Sequence, residues 1–356
     1  MKSNQAGVIT ETGILIVAMV AIILSLIFAF TNGFHDASAI IATLIACGAA
    51  SPRGAVLLAS SMVMLGALLG GSAVAFTIEG LIQMSVGHDL IILLAAAVLG
   101  GIIWNLITWK YGLPSSSTQA LVGGMLGATI AAGGFGGIFW GFDQLVGPNH
   151  MLAGVTKVVI FLIWSILMGL SVGYLFQRFA SGLLRNAKKS VNKSIKRMQL
   201  FTAGLLAFSY GTNDSQKQMG LIVLILISGG YVTTMDIPLW VRILCGAVML
   251  LGVLGGGWRI VKTIGRRIYP IEPIHSLDSQ LASTSSILLS TWAGAPVSST
   301  QIVATSVMGV GAADNPKMLQ WSVGKDMAIA WLLTIPAAMA LSMVLYFPLN
   351  WLLSGA

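Results

Sequence analysis

The sequence predicts an all-α polytopic membrane protein built from two related halves. Of its 356 residues, 56% are hydrophobic and only 8% are charged, and the mean hydropathy is +0.90. A soluble domain carries roughly 25% charged residues, so most of this outer surface is expected to face lipid. Apolar stretches of about 20 residues, the length that spans a bilayer, recur along the chain. A polar motif also occurs twice.

The chain contains nine apolar stretches, several of them too long for one simple helix, so they predict about 10–12 membrane segments. They lie at 13–34, 55–78, 90–109, 118–133, 152–176, 200–230, 239–257, 280–311 and 327–353. The whole stretch from Gly13 to Gly48 would form a straight helix of about 54 Å, whereas the hydrocarbon core is about 30 Å thick. Polar residues from Thr31 to Asp36 interrupt this stretch, so we expect a broken helix or a re-entrant hairpin there.

The basic residues predict the orientation in the membrane. Seven Lys and Arg residues and no acidic residue lie between Arg178 and Arg197, and the positive-inside rule places such a loop in the cytoplasm. We divide the chain into an N-terminal half (1–177), a basic connector (178–199) and a C-terminal half (200–356). If five spans precede Arg178, the N-terminus lies outside the plasma membrane.

The chain has a net charge of +8, and the basic residues of the connector allow a second interpretation. The connector could bind a partner or anionic lipid. Nucleic acid is not an expected partner, because the cations cluster at the ends of apolar stretches.

Two motifs recur in the same order. P-S-S-S-T-Q at 114–119 returns as P-V-S-S-T-Q at 296–301, an offset of 182 residues. T-N-G-F-H-D-A-S at 31–38 is matched more weakly by G-T-N-D-S-Q-K-Q at 211–218, and Asp36 and Asp214 are 178 residues apart. An odd number of spans in each half would invert the second copy. Inverted-topology repeats with broken helices at the midplane are common in secondary transporters.

The serine-rich motifs suit an anion. Proline tends to begin a helix, so the Ser and Thr residues after it are expected at a helix N-terminus, where free N–H groups and the dipole favour anions. Two facing termini would form a neutral, donor-rich cage for a tetrahedral oxyanion. Ordinary capping of membrane helices is the alternative. The candidate substrate residues are Ser115, Ser116, Ser117, Thr118, Gln119, Ser298, Ser299, Thr300 and Gln301.

Two carboxylates suit a coupling cation. A charge inside a membrane is costly, so Asp36 and Asp214 are candidate Na⁺ or H⁺ sites, although both could instead belong to a structural hydrogen-bond network. Asn32 and Asn213 could add side-chain oxygens. Lys217 lies one helical turn after Asp214 and could pair with it or offset the charge of the anion.

His35 and the missing motifs refine the predicted mechanism. His35 could relay a proton beside Asp36 or make a plain polar contact. No GxxxxGK[ST], HExxH or CxxC motif is present, so we predict neither an enzyme nor a resident cofactor. Two localised polar clusters favour a binding site with alternating access over a channel, which would show a continuous polar stripe.

The ordered motifs resemble the inorganic phosphate transporter (Pit) family. The similar segments are N-G-F-H-D (32–36), G-L-P-S-S-S (112–117), N-D-S-Q-K (213–217), G-A-P-V-S-S-T (294–300) and W-S-V-G-K-D-M (321–327). The resemblance implies uptake of inorganic phosphate coupled to H⁺ or Na⁺, sometimes with a co-transported divalent metal. It also implies that Asp36 and Asp214 bind the cation and that the serine clusters surround the phosphate.

The chain departs from the family pattern at three places. Gln119 and Gln301 stand where the family usually has His, and Ala39 stands where it commonly has Asn, with Lys217 in the corresponding place of the second half. These departures leave the coupling ion open and leave sulfate or another oxyanion as an alternative substrate. The lipid bilayer is an expected partner, and a homodimer stays open.

Overall fold

The structure, a computed structural model, describes residues 11–148, 150–188 and 190–353, and Glu11 and Ala37 are described by their backbone alone. These ranges contain helices and no β-strand; two short turns, 3₁₀-helical at Phe135–Gly137 and π-helical at Thr263–Arg267, accompany them. The α-helices are α1 (Glu11–Ala46), α2 (Pro52–Leu69), α3 (Ala73–Glu79), α4 (His88–Tyr111), α5 (Ser117–Gly133), α6 (Phe142–Val146), α7 (Gly154–Leu183), α8 (Val191–Ser228), α9 (Leu239–Gly255), α10 (Trp258–Lys262), α11 (Pro273–Trp292), α12 (Ser299–Asp314) and α13 (Trp321–Leu353).

The all-α membrane class is confirmed. Five helices in the described ranges are long and apolar enough to cross a bilayer, and a sixth span results if α9 and the bent segment after it count as one. The five are Thr12–Ala46, Pro52–Leu69, His88–Tyr111, Gly154–Leu183 and Trp321–Leu353. The count is below the predicted 10–12 because this criterion passes over short helices such as α5 and α12 and polar ones such as α11.

The prediction that the first stretch breaks near Asp36 was wrong. α1 runs without interruption through the polar residues. Thr31 Oγ1 donates to the carbonyl of Phe28 at 2.9 Å, and Ser38 Oγ donates to the carbonyl of His35 at 2.6 Å. These side chains bond within the helix, so the polar cluster needs no break. A helix of 36 residues is about 54 Å long, so it tilts in the bilayer or extends beyond it.

The breaks lie elsewhere. The predicted segment 55–78 divides at 70–72 into α2 and α3, and the predicted segment 280–311 divides at 293–298 into α11 and α12. A matching break separates α4 from α5. α9 and Trp258–Arg267 meet at a bend of 58°. The broken elements expected from the sequence therefore exist, but the carboxylates lie on continuous helices and the serine motifs lie at the breaks.

Helix contacts recur in pairs across the two parts of the chain. α1 packs against α4 and α9, and α8 packs correspondingly against α11 and α2. α5 packs against α4 and α13, and α12 packs against α11 and α7. Helices from different parts of the chain thus pack directly against each other, as α1 does with α9 and α2 with α8. Two related halves would give this pairing, and the inverted orientation of the second half stays a prediction.

The connector contains little chain outside helices. α7 continues to Leu183 and α8 begins at Val191. The predicted connector at 178–199 therefore consists largely of the ends of two long helices, and its basic side chains are carried mainly by those ends.

Two glycines set the positions of the carboxylates. A Cβ at Gly33 would clash with the carbonyl oxygen of Met249 in α9, and a Cβ at Gly211 would clash with the carbonyl oxygen of Val63 in α2. Each glycine precedes its aspartate by three residues, about one turn of the helix. The close crossings therefore fix α1 and α8 against their neighbours at the level of Asp36 and Asp214.

Candidate functional site

Both serine-rich motifs lie where one helix ends and another begins. α4 ends at Tyr111 and is capped by Gly112, whose φ is 67°, and Gly294 after α11 has a φ of 62°. Glycine adopts these left-handed angles without the penalty that a Cβ imposes. Each proline then follows two residues later in an extended segment. The same local sequence therefore produces the same break twice.

The expected helix starts are confirmed. Ser116 caps α5, and its Oγ accepts a hydrogen bond from the backbone N–H of Gln119 at 3.1 Å. Ser298 caps α12, and its Oγ accepts from the N–H of Gln301 at 3.3 Å. The hydroxyls of both serines thus already accept bonds from the backbone. Neighbouring N–H groups of the first turn remain directed out of each helix start.

The first carboxylate site is centred on Asp36. Oδ1 of Asp36 is 2.7 Å from Nδ1 of His35, and Oδ2 accepts a hydrogen bond from Ser117 Oγ. Ser117 Oγ also lies 2.8 Å from Oδ1 of Asn32, which accepts from the hydroxyl of Tyr210 at 3.3 Å. These side chains are buried. The predicted cation residues Asp36 and Asn32 therefore meet through the first serine motif.

The second carboxylate site is centred on Asp214 and contains an ion pair. Oδ2 of Asp214 accepts from Ser299 Oγ, as Asp36 accepts from Ser117 in the other half. Oδ1 of Asp214 is 2.6 Å from Nζ of Lys217. Of the two roles expected for Lys217, the structure shows the contact with Asp214, and both side chains are at most 1% exposed.

Lys217 connects the second site to the first motif. Its Nζ donates to Thr118 Oγ1 at 2.5 Å and to the carbonyl of Val297 at 2.8 Å. Thr118 Oγ1 in turn donates to the same Val297 carbonyl at 2.8 Å. The two serine-rich motifs, far apart in sequence, are therefore in direct contact at this point.

Two predicted residues have other contacts. Asn213 donates from Nδ2 to Thr291 Oγ1 at 2.8 Å and to the carbonyl of Ala295 at 3.1 Å, so it holds the second break instead of facing its neighbouring carboxylate. Ser115 Oγ donates to Thr108 Oγ1 at 2.8 Å and lies 3.3 Å from Nε2 of His35. Ser115 thus belongs to the surroundings of His35.

Several buried polar atoms around the motifs have no hydrogen-bond partner among the described residues. They are Asn32 Nδ2, Gln119 Oε1, Thr300 Oγ1 and both amide atoms of Gln301. Buried polar groups are nearly always satisfied, so unpartnered ones clustered on two motifs indicate a place for a polar ligand. Asn32 Nδ2, Thr300 Oγ1 and Gln301 Nε2 can donate to an oxyanion, and the two glutamine oxygens can accept from a protonated phosphate oxygen or from water.

Sequence reasoning missed residues that complete the site. Tyr210 is fully buried and occupies, at the offset of 178, the place that Asn32 has in the first half. That offset was the available signal. Trp331 in α13 donates from Nε1 to the carbonyl of Pro114 at 2.8 Å and so holds the first break. Nothing in the sequence near Trp331 indicates this contact.

A second buried polar network lies along α11. Gln280 donates to Thr43 Oγ1 at 3.3 Å and accepts from Thr202 Oγ1 at 2.5 Å. Gln199 donates to the carbonyl of Pro273 at 2.5 Å. This network joins α1, α8 and α11 through buried side chains.

A cluster of titratable groups lies at one end of α11 and α12. The hydroxyl of Tyr269 donates to Oδ2 of Asp314 at 2.5 Å, and Nε2 of His275 is 3.4 Å from the same oxygen. Burial, and then the hydrogen bond to the Asp314 carboxylate, raise the pKa of the Tyr269 hydroxyl. Tyr269 therefore stays protonated as the donor of this contact. In the described ranges, no group of three or more His, Cys, Asp or Glu side chains could hold a metal ion.

A family model, the Phosphate transporter family, matches residues 32–342, a range that contains both breaks and both carboxylates. The chain belongs to this family. The resemblance found in the sequence motifs is thereby confirmed, and membership in the phosphate transporter family places the chain among transport proteins and not among enzymes.

Relatives cover the chain almost completely. A "Probable low-affinity inorganic phosphate transporter" of Bacillus subtilis (strain 168) is 36% identical over 340 residues, which cover 95% of this chain and 98% of the relative. A protein of the same description from Mycobacterium tuberculosis (strain ATCC 25618 / H37Rv) is 38% identical over 330 residues, covering 91% of this chain and 75% of the relative.

A solved structure has a similar fold. "The sodium-dependent phosphate transporter" is 26% identical in sequence and superposes with a TM-score of 0.76, covering 94% of this chain and 99% of that one. This phosphate transporter family member therefore has the architecture of a transporter across nearly its whole length.

Proposed function

We propose that this chain is a secondary active symporter that imports inorganic phosphate together with Na⁺ or H⁺. Phosphate would bind between the two helix breaks, and alternating access would expose the site to each side of the membrane in turn. The observation that carries the proposal is the direct contact between the two serine-rich motifs, where Thr118 Oγ1 donates to the Val297 carbonyl at 2.8 Å. A substrate at this junction would be held by both halves at once.

The surroundings of the junction suit an oxyanion. Two helix N-termini, capped by Ser116 and Ser298, bring backbone N–H groups and the positive ends of their dipoles to the breaks. Thr300 Oγ1 and the amide of Gln301 are buried without partners, so they are available as neutral donors. Neutral donors can bind a phosphate and release it again, whereas a cluster of arginines would hold it tightly.

The carboxylates supply the cation coupling. Asp36 lies beside Asn32 through the shared Ser117 hydroxyl, and carboxylate and amide oxygens suit Na⁺ as a hard cation. The solved neighbour named as sodium-dependent supports Na⁺. His35, hydrogen-bonded to Asp36 at 2.7 Å, would suit a proton instead. A divalent metal would enter only as cargo bound to phosphate.

The membrane placement is part of the same proposal. We place the chain in the plasma membrane with its N-terminus outside, the basic connector in the cytoplasm and the second half inverted relative to the first. A homodimer is compatible with this arrangement. Chemical labelling of single cysteines introduced near Lys188 and near Asp143, which are both exposed, would report opposite sides of the membrane if the orientation is right.

Uptake into proteoliposomes tests the transport activity. The purified full-length chain is reconstituted, and the initial uptake of ³²P-phosphate and of ³⁵S-sulfate is measured under an inward Na⁺ gradient, an inward H⁺ gradient or no gradient. We expect accumulation of phosphate, driven by one of the two gradients, with little sulfate uptake. If sulfate uptake exceeds phosphate uptake, sulfate and not phosphate is the substrate. Phosphate uptake that is the same with and without either gradient would contradict symport.

A further inference from the structure

The two carboxylate sites differ in the side chain that pairs with the aspartate: Asp214 pairs with Lys217, whereas Asp36 lies beside His35. Asp36 and Asp214 each accept a hydrogen bond from the equivalent serine of their own motif, Ser117 and Ser299. Lys217 follows Asp214 by three residues, and the residue that follows Asp36 by three is Ala39. The side chain of Ala39 carries no donor and no charge. The two sites therefore share the same aspartate–serine contact, and only the second contains a lysine ammonium group.

We propose that Lys217 is a resident cation that fills the second carboxylate site, so that only the Asp36 site exchanges a coupling ion. This inference rests on the proposed symport and goes beyond it, because it assigns the number of exchangeable cations to one side chain. Asp214 would hold its ammonium group throughout the transport cycle, and Asp36 would bind and release Na⁺ or H⁺.

The coordination of Nζ supports this role. A lysine ammonium has three donors, and Lys217 directs them to a carboxylate oxygen, a hydroxyl oxygen and a backbone carbonyl oxygen, at 2.5–2.8 Å. These are the oxygen types that bind a hard cation in proteins. The side chain is 1% exposed, so water does not compete for these contacts. Each donor is used, and the ammonium leaves no room for a second cation at Asp214 Oδ1.

The other half shows the consequence of lacking this group. Thr300 is the residue of the second motif that corresponds to Thr118, and its Oγ1 has no partner among the described residues. In the first motif, the equivalent Thr118 hydroxyl is bound by Lys217. One threonine hydroxyl is thus occupied by a fixed cation, and the other is open to a ligand.

The test compares single and paired substitutions in the reconstituted full-length protein. Asp214→Asn alone leaves the buried ammonium without its counter-charge, and we expect phosphate uptake to fall at least about tenfold. Asp214→Asn combined with Lys217→Met removes both charges together. We expect the double variant to recover uptake to at least about tenfold above that of the Asp214→Asn variant, because the exchangeable site at Asp36 is intact. A double variant as inactive as the single variant would overturn the proposal.

A second measurement is how steeply phosphate uptake rises with the concentration of the driving cation. Wild-type uptake should depend on the concentration of the driving cation with a Hill coefficient of about 1. Lys217→Asn, which opens the second site, should raise the coefficient towards about 2 or raise the measured ratio of cations to phosphate. A wild-type coefficient near 2, or an unchanged coefficient and ratio in Lys217→Asn, would overturn the proposal.

A binding measurement separates this inference from the proposed function. The melting temperature of each variant in detergent is followed as Na⁺ is added and as the pH is lowered. Asp214 in the Lys217→Asn variant should gain a cation, so that variant should be stabilised more than the wild type. Equal responses would overturn the proposal. If wild-type protein takes up no phosphate under any gradient, the proposed symport fails, and the melting data still decide the role of Lys217.

Discussion

The Asp36 site and the Asp214 site show how one sequence frame can serve two purposes. Both carboxylates lie on continuous helices, one turn after a glycine that crosses a neighbouring backbone, and both accept from a motif serine. Only Asp214 is also held by a lysine that contacts the opposite motif. Repetition therefore accounts for the geometry, and a single departure from it accounts for the difference in charge.

Asp36→Asn tests the open site and should have the largest effect. The amide keeps the shape of the side chain but removes the negative charge, so we expect gradient-driven phosphate uptake to fall about 100-fold or more, which corresponds to about 2.7 kcal/mol. Uptake into proteoliposomes is the measurement. Asp326→Asn, at an exposed carboxylate, is the control and should retain uptake. Full activity in the Asp36 variant would contradict the assignment of the coupling cation to Asp36.

Lys217→Met tests the filled site through stability. The substitution keeps most of the side-chain volume and leaves Asp214 buried without its partner. Breaking a buried pair in this way costs about 3–5 kcal/mol, so we expect a clear fall in melting temperature in Na⁺-free buffer. Lys325→Met, at an exposed lysine, should cost less than about 0.5 kcal/mol. Equal melting temperatures for the two variants would show that the ion pair contributes nothing to the fold.

Valine substitutions at the two equivalent threonines sharpen the comparison. Thr118→Val removes a hydroxyl that bonds both Lys217 and the Val297 carbonyl, so we expect a loss of about 1–3 kcal/mol in unfolding free energy. Thr300→Val removes a hydroxyl with no partner among the described residues.

We therefore expect little change in stability for Thr300→Val and a weakening of phosphate affinity by about fivefold to tenfold, or about 1 kcal/mol. Thermal unfolding and the phosphate dependence of uptake measure the two quantities. Thr305→Val, at a hydroxyl bonded within α12 to the Gln301 carbonyl, is the control for affinity. If Thr118→Val and Thr300→Val change stability and phosphate affinity equally, the two threonines do not have the different roles described here.

Ser116→Ala and Ser298→Ala should have the smallest effects. Each removes an N-cap and should cost about 1 kcal/mol of stability, together with a fewfold weaker phosphate affinity because the helix start is less well ordered. Ser165→Ala, at a hydroxyl bonded to the Phe161 carbonyl within α7, is the control. Unchanged phosphate affinity in both cap variants would count against binding between the two breaks.

The parts of the fold that could be predicted from sequence depend on local chemistry. Gly112 and Gly294 followed by proline and serine predicted two helix starts, because left-handed turns and N-caps are set by a few neighbouring residues. The spacing of Asp214 and Lys217 on a helix indicated that they could pair, and it left open a role of Lys217 towards the anion. The family could be recognised from five such segments.

The remaining features depend on contacts between distant parts of the chain. The expected break near Asp36 was wrong because the hydroxyls of Thr31 and Ser38 bond within α1. Asn32 Oδ1 and Asp36 Oδ2 accept hydrogen bonds from side chains of other helices. Asn213 was predicted beside a cation but bonds Thr291 and the Ala295 carbonyl. The contact of Trp331 with Pro114 joins residues more than 200 positions apart, and no local pattern specifies it.

The buried ammonium of Lys217 also has an electrical consequence. Two aspartates and one lysine leave one net negative charge at the centre of the carrier. One monovalent cation entering with dihydrogen phosphate then carries no net charge, whereas two cations would carry one positive charge inwards. A charge that crosses 100 mV gains or loses about 2.3 kcal/mol. We expect phosphate accumulation by this carrier to be indifferent to an imposed membrane voltage and to become voltage-driven when the lysine is replaced.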